Sequence, residues 1–184
     1  MNHLARLLTI GHSTLAADAF VAMLSVYRIE LLADVRRVPA SRRHPQFNRE
    51  ALAEMLASHG IAYHHFPELG GQREARPGSS NTAWREAGFR GYADYMETAD
   101  FDYGITRLLE AAKSKATAIM CAEKSWRSCH RGLIADHLKA SEIEVIHILD
   151  TVATEPHPWT AAARMIDGRL SYSAAGIDQQ QLPF

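Results

Sequence analysis

Both cysteines of the chain, Cys121 and Cys129, lie in one short polar segment, and His130 and Arg131 follow the second of them. An apolar run typical of a buried strand precedes this segment, and a helical pattern follows it at residues 132–138. We therefore expect Cys129 at, or just inside, a helix N-terminus beyond the end of a central strand. Free N–H groups and the helix dipole favour anions there and lower the pKa of a thiol. The segment predicts a site and leaves its reaction open.

The two thiols allow several interpretations. Cys129 could be a nucleophile or a ligand contact, and Cys121 could contact the ligand or act as its resolving partner in a redox cycle. Seven residues separate them, which is not the spacing of a C-x-x-C redox motif. Each could instead be a small buried hydrophobic residue. A disulfide is conceivable, but a reducing cytoplasm favours free thiols.

Arginines at the end of a predicted strand and at the start of a predicted helix indicate an anion-binding pocket. Arg36 and Arg37 follow a predicted strand, Arg131 begins the predicted helix, and Arg42 and Arg43 on a nearby loop could extend the positive charge. Guanidinium groups match phosphate or carboxylate in a bidentate manner. The alternative is a set of solvated charges, or partners for nearby carboxylates. We expect small anionic or phosphorylated ligands, bound also by Ser13, His130 and Cys121.

Two carboxylates and one imidazole are candidates for proton transfer. Asp34 and Glu123 follow strands predicted to be central, where they could act as acid and base, or one as a nucleophile in a glycosyl-type transfer. Each could also simply fix an arginine or close a loop. His12, in the turn after Gly11, could be a general acid or base, although a hydrogen bond that holds the turn is its default role.

Histidines and cysteines could together form a metal site, but their spacing argues against one. The chain has ten histidines, and several fall near strand ends or helix starts, namely His12, His64, His65, His130 and His147. They could form a mixed site with the cysteines, but the spacing matches no standard zinc pattern, and adjacent Cys and His residues seldom bind one ion. The sequence therefore predicts no metal and no cofactor.

Strand and helix patterns alternate along the chain. Short apolar runs predict strands at residues 7–10, 29–33, 61–66, 116–120 and 144–149, and amphipathic stretches predict the intervening helices. Ser13 or Thr14 could cap the first helix, and Asn48 the second. The pattern indicates an α/β fold with three layers, in which a largely parallel sheet carries helices on both faces. Ligands of such sheets bind beyond the carboxyl ends of the strands. The three turns at residues 11–13, 34–37 and 121–131 should therefore converge.

The segment from Pro67 to Arg90 is predicted to be irregular, and its part from Gly70 to Arg90 could close over a ligand. Helices are expected to follow at residues 91–98 and 101–112. Aromatic residues and arginines are interleaved along and just after this segment, an arrangement that could stack single-stranded nucleic acid but more often anchors a lid. These residues are Trp84, Phe89, Tyr92 and Tyr95 with Arg73, Arg76, Arg85 and Arg90.

Length and composition limit the classes of protein. The 184 residues suit one domain, with a core at about residues 5–150 and a tail at residues 151–184 packed on it. Hydrophobic residues make up 47% and charged residues 22%, the balance of a globular protein. A net charge of −1 offers no field to attract nucleic acid, and no apolar run is long enough for a membrane span. With no signal-peptide pattern at the start, we expect a cytoplasmic protein.

Four pieces of the sequence together resemble the DUF488 family of uncharacterised bacterial and archaeal proteins. They are Thr9–Ser13, residues 34–41 with Phe47, Leu69–Gly71, and the Cys121–Arg131 segment. The resemblance runs from the first predicted strand to about Ile148. It implies a cytoplasmic α/β domain in which these residues cluster, and it supplies no reaction.

The favoured interpretation is an enzyme, a hydrolase or transferase that acts on a nucleotide-like or phosphorylated small molecule. Three alternatives stay open: a nucleic-acid-binding module, a sensor that binds a small anion without turnover, and a redox thiol protein. The last requires the two cysteines to lie within roughly 6 Å of each other between their Cα atoms. The oligomeric state stays open too.

Overall fold

A six-stranded sheet organises the chain in the computed structural model, which describes residues 6–174. Its strand order is β3-β2-β4-β1-β5-β6. The first five strands in this order run parallel to one another, and β6 is an antiparallel edge strand. The strands are β1 (Arg6–Gly11), β2 (Leu31–Asp34), β3 (Ala62–His65), β4 (Thr117–Cys121), β5 (Glu144–Ile148) and β6 (Thr154–Pro156). The predicted α/β fold with a largely parallel sheet is confirmed.

Five helices cover the sheet, because a parallel sheet has two apolar faces to bury. They are α1 (Ala17–Val26), α2 (Arg49–Ala57), α3 (Ala87–Tyr95), α4 (Ala99–Ala112) and α5 (Arg131–Ala140). Side chains alternate along β1, so that Leu7 packs in a cluster with residues of α3, α4 and α5, whereas Leu8 packs in a second cluster with residues of α1 and α2. The buried strands and the amphipathic helices thus form the two hydrophobic clusters, one around Leu7 and one around Leu8.

Some local predictions were wrong, and tertiary contacts explain why. Helix α3 begins at Ala87, inside the segment predicted to be irregular, because packing of Tyr92 in the core outweighs the low helix propensity of two glycines. No side chain caps α1, whose N-cap is Ala16. Asn48 does occupy the N-cap position of α2, but its side chain accepts a hydrogen bond from the amide of Ser41 instead.

Beyond β5 the chain returns to the sheet edge and then forms a hairpin. Strand β6 pairs with β5, and β7 (Arg164–Ile166) pairs with β8 (Arg169–Ser171). Buried Tyr172 then contacts α5 through a hydrogen bond to Asp136. The apolar end of the predicted tail, residues 182–184, lies outside the described residues. No helix within residues 6–174 has the length and apolar character that crossing a bilayer requires.

Candidate functional site

The strand order places three turns side by side. Strands β2, β4 and β1 are neighbours, and their register aligns Gly11 with Cys121 and Asp34 with Met120. Backbone hydrogen bonds continue past the strand ends, from the amide of His12 to the carbonyl of Cys121 at 3.0 Å. The three turns therefore converge, as predicted from the general behaviour of parallel sheets.

A pocket of about 690 Å³ opens at this edge. Most of the residues singled out in the sequence line it: His12, Ser13, Arg36, Arg37, Cys121, Glu123, Cys129 and His130. Residues of the predicted lid segment complete the wall, among them Gly71, Gln72 and Phe89. Asp34 and Arg131 are buried, at 0% and 1% exposure, and lie beneath the pocket rather than on its wall.

The two thiols and one imidazole meet at the pocket. Cys121 is the last residue of β4, and Cys129 lies just outside α5, whose N-cap is His130 rather than the cysteine. His130 Nδ1 lies 3.8 Å from Cys129 Sγ and 4.0 Å from Cys121 Sγ. The other ring nitrogen, Nε2, lies 3.1 Å from the carbonyl oxygen of Val35. Because a carbonyl can only accept, Nε2 carries the proton, and Nδ1 presents its lone pair to the thiols.

The two thiols have opposite pKa shifts. The hydrogen bond with Cys129, burial and the nearby charge of Glu123 raise the pKa of Cys121. Burial also acts to raise the pKa of Cys129, but hydrogen bonds with Cys121 and His130, together with the charge of Arg131, lower it below the ordinary value. The pair therefore gives up its first proton more easily than its second.

Asp34 and Arg36 form a buried ion pair. Arg36 donates to the Asp34 carboxylate through its backbone amide, Nε and Nη2, with distances of 2.6 to 3.2 Å, and Tyr63 donates its hydroxyl at 2.7 Å. Burial acts to lower the pKa of Arg36, and the pairing with Asp34 raises it. Asp34 therefore fixes an arginine and a tyrosine, the structural alternative considered for it.

Arg131 supports the loop that follows β4. Its Nη2 donates to the carbonyl of Glu123 at 2.6 Å, and its Nη1 donates to Thr9 Oγ1 at 3.1 Å. The guanidinium is thereby turned away from the pocket that the sequence assigned to it. Arg131 holds the Cys121–Arg131 segment against β1.

Arg37, Glu123 and His12 differ in their availability to a ligand. Arg37 is exposed and donates to the carbonyl of Gln72 at 2.9 Å, and no salt bridge within residues 6–174 involves it. Glu123 is exposed, with one oxygen 3.4 Å from Cys121 Sγ. Burial lowers the pKa of His12 to about 4, and its Nδ1 donates to the carbonyl of Ser13 at 2.9 Å. Its imidazole is therefore neutral near pH 7.

Two residues that shape the site were given no role in it from the sequence, although the family resemblance implied that Leu69–Gly71 lies near the Cys121–Arg131 segment. A Cβ added at Gly71 would lie 2.7 Å from His130 Nδ1, so only glycine leaves room for the imidazole. The ring of Tyr92 lies 5.0 Å from that of His130 and is buried. The pair Gly70-Gly71 is a signal from which a close approach could have been inferred, whereas nothing in the sequence pointed from Tyr92 to His130.

The interleaved aromatic residues are mostly used in packing. Trp84 packs on Phe89, with ring centroids 4.9 Å apart, and on Tyr172. The Arg73 guanidinium lies over the ring of Tyr95, with its Cζ atom 3.5 Å from the ring centroid. Phe89, which is partly buried, lines the pocket. These contacts anchor the loop to the rest of the protein, as expected if the aromatic residues hold a lid and do not stack nucleic-acid bases.

Metal-ligand atoms cluster at one place in the described part of the chain. The side-chain donor atoms of Cys121, Cys129 and His130 all lie within 4.8 Å of one another. Two of the other histidines considered in the sequence are engaged elsewhere. His65 contacts the carbonyl of Arg36, and His147 bonds to Thr9.

The model of one protein family matches the chain. Its description is "Domain of unknown function DUF488", and the match covers residues 16–138, which are 123 of the 184 residues. The matched region includes the turns after β2 and β4 and most of the pocket wall. Comparisons with curated proteins and with solved structures give no significant match.

Proposed function

The chain belongs to the DUF488 family of domains of unknown function, and we propose that its pocket is the active site of a hydrolase or transferase acting on a nucleotide-like or phosphorylated small molecule. One observation carries the proposal. A carboxylate, two thiols and an imidazole converge on one open pocket that also exposes a guanidinium without a carboxylate partner. Such convergence of groups that transfer protons and bind anions is typical of an active site.

Arg37 is the proposed binding group for the anion. Arg37 lines the pocket wall, and its guanidinium donates one hydrogen bond to the carbonyl of Gln72. Further N–H groups of the guanidinium can therefore donate to phosphate oxygens. Arg36 contributes less charge, because Asp34 neutralises it.

Glu123 is the proposed proton-transfer group. It is exposed on the pocket wall, whereas the Asp34 carboxylate is fully buried and accepts hydrogen bonds from Arg36 and Tyr63. His12 is a weak base near pH 7, because burial lowers its pKa to about 4. A carboxylate beside a bound phosphate ester can activate water or an acceptor hydroxyl, which is the role common to hydrolases and transferases.

The volume of the pocket suits a small molecule. At about 690 Å³ it falls within the range of about 300–1,000 Å³ that is common for small-molecule sites. The aromatic residues that could have stacked nucleic-acid bases pack against the protein instead, as Trp84 does on Phe89 and Tyr172. A small phosphorylated ligand therefore fits the pocket better than a nucleic-acid strand.

Binding and turnover can be tested separately. Calorimetry with inorganic phosphate and AMP should detect binding, which Arg37→Ala weakens about tenfold because a charge-assisted hydrogen bond is lost. Arg42→Ala is the matched control, since Arg42 is exposed and lies outside the pocket wall. Equal affinity of the wild type and Arg37→Ala for these anions would exclude Arg37 as the group that binds them.

Turnover is measured with p-nitrophenyl phosphate and bis-p-nitrophenyl phosphate. Glu123→Gln should lower kcat by about a hundredfold or more while leaving phosphate binding intact. Binding of AMP with no turnover of either ester would reject the enzyme and favour the anion sensor.

A further inference from the structure

We propose that Cys121, Cys129 and His130 bind a zinc ion. The three donor atoms lie within 4.8 Å of one another, and both thiols are buried, at 5% and 4% exposure. Thiolate and neutral imidazole are the ligands that zinc prefers in proteins. Two thiolates also balance the two charges of the ion, so the bound site is neutral in a buried setting.

The distances from His130 Nδ1 to the two sulfur atoms are close to those of tetrahedral coordination. With usual bond lengths, a tetrahedral zinc site separates a thiolate sulfur from an imidazole nitrogen by about 3.6 Å. The observed separations from His130 Nδ1 are 3.8 Å to Cys129 Sγ and 4.0 Å to Cys121 Sγ. A shift of a few tenths of an ångström would bring both sulfur–nitrogen separations to this value. The two sulfur atoms, which lie within 4.8 Å of each other, would have to approach to about 3.8 Å, the separation that the same bond lengths give.

The orientation of His130 supports the proposal independently. Its Nε2–H donates to the carbonyl of Val35, which fixes the tautomer and leaves Nδ1 free to coordinate. Histidines that bind metals are commonly held by such a hydrogen bond on the second nitrogen. Packing against Tyr92 and the close approach of Gly71 further restrict the ring.

Backbone conformation explains how two adjacent residues reach one ion. Cys129 is extended, with φ −138° and ψ 144°, whereas His130 is helical, with φ −58° and ψ −13°. The chain turns sharply between them, so both side chains point to Cys121. Their adjacency in the sequence counted against a metal, and this turn removes the objection.

The proposed site is of the open type. Three protein ligands leave a fourth position for water or substrate, as in catalytic zinc sites, whereas structural sites have four protein ligands. All three residues line the pocket, so the fourth position is accessible to solvent. A catalytic use of the zinc rests on the proposed function, because it would act on the ligand bound there; binding of the ion does not.

Metal content of the wild-type protein is the first test. Protein purified without chelators should contain about one zinc per chain by mass spectrometry of the metals. Replacement by Co²⁺ should give the thiolate-to-metal charge-transfer band and the visible bands of tetrahedral cobalt. Zinc should also protect both thiols from alkylation. A metal-free protein that neither binds added Zn²⁺ nor gains this protection would overturn the proposal.

Single variants then identify the ligands. Cys121→Ser, Cys129→Ser and His130→Gln should each weaken zinc binding at least tenfold, and His44→Gln, on the same pocket wall, should not. Circular dichroism confirms that the variants are folded; His130→Gln, at a partly exposed position, disturbs the core least. A Cys121–Cys129 disulfide that forms equally fast with and without zinc would also reject the site.

Glu123→Gln separates this proposal from the proposed function. It should retain the zinc and lose turnover, because Glu123 is assigned to proton transfer and not to the metal. Zinc binding without any turnover would leave the metal site standing and reject the enzyme. Turnover by a protein that does not bind added Zn²⁺ would leave the enzyme standing and reject the metal site.

Discussion

Gly11, at the end of β1, shows how a single residue type permits the site. A Cβ at this position would lie 1.9 Å from the carbonyl oxygen of Glu123 and 2.9 Å from Arg131 Nη2. Any side chain here would therefore displace the loop that carries both cysteines. The glycine is required by this close approach of two backbones, a contact that links positions over a hundred residues apart in the chain.

We expect Gly11→Ala to lower the free energy of unfolding by about 1–3 kcal/mol, because the backbone oxygen it meets cannot move aside cheaply. Urea unfolding measures the change. Gly88→Ala is the matched control: its Cβ would meet nothing within 4 Å, and alanine suits a helix better than glycine, so this variant should be neutral or slightly stabilising. Equal stability of the two variants would contradict this account of Gly11.

The charges at the end of β2 illustrate a second point at the residue scale. From the sequence, Arg36 and Arg37 were equivalent candidates for anion binding, and Asp34 was a candidate acid or base. The structure pairs Asp34 with Arg36 and leaves Arg37 exposed. Neighbouring residues of the same type therefore have different uses, since only one guanidinium turns back to the buried carboxylate.

At the scale of elements, a chain of buried polar groups joins β1, β5, α5 and the segment after β6. His147 on β5 bonds to Thr9 through Nδ1 at 2.7 Å and to His157 through Nε2 at 2.9 Å, and His157 reaches Asp136 on α5 at 3.0 Å. Trp126 stacks on His147 at a centroid distance of 4.5 Å. Within this network, Thr9, His147, His157 and Asp136 are all hydrogen-bonded, which makes the arrangement specific.

This network makes stability depend on pH. Burial, together with the charges of His157 and Arg131, lowers the pKa of His147 to about 3, and Glu155 opposes the shift. Since the pKa in the unfolded chain is about 6.5, the unfolded state gains a proton first as the pH falls. The stabilisation is complete above about pH 6.5 and is lost progressively between about pH 6.5 and pH 3.

We therefore expect the free energy of unfolding to fall on acidification, with about 2 kcal/mol of the loss between about pH 7.5 and pH 5 due to His147. His12, whose pKa is also lowered, contributes in the same direction. Urea titrations at the two pH values measure the loss, which should be smaller by about that amount in His147→Gln. The same pH dependence in both proteins would show that His147 does not titrate as described.

For the whole molecule, the segment from β6 to Tyr172 ties the far edge of the sheet to α5. Strand β6 pairs with β5, so that β5 is not an open edge. Asp136, fully buried, accepts hydrogen bonds from His157 Nε2, from the amide and hydroxyl of Thr160, and from the hydroxyl of Tyr172. One carboxylate therefore holds three positions of this segment.

Removal of that carboxylate should loosen the whole segment. We expect Asp136→Ala to cost about 3–5 kcal/mol in unfolding free energy, because it leaves several buried donors without an acceptor. Trypsin should then cut faster after the exposed residues Arg164 and Arg169. Tyr172→Phe, which removes one hydrogen bond, should cost about 1.5–3 kcal/mol and change proteolysis less. Equal proteolysis of the wild type and Asp136→Ala would exclude this role.

The sequence by itself determined the α/β fold, the succession of its main strands and helices along the chain, and the edge of the sheet at which the pocket lies. Apolar runs mark buried strands wherever they occur, and parallel strands end at a common edge, so periodicity sufficed for these features. It failed at α3, where packing of Tyr92 in the core decides the conformation of a glycine-containing segment.

Only the tertiary structure decided which groups each of the candidate site residues contacts. Whether Arg131 faces the pocket or the carbonyl of Glu123, and whether Cys129 and His130 can meet Cys121, depends on side-chain directions at loop residues, which no periodicity encodes. The spacing of residues 121–131 indicated chemistry but gave no distances. In the folded loop, Arg131 binds the carbonyl of Glu123, and this carbonyl lies against the backbone of Gly11 in β1. These contacts fix the course of the loop and bring two thiols and an imidazole together.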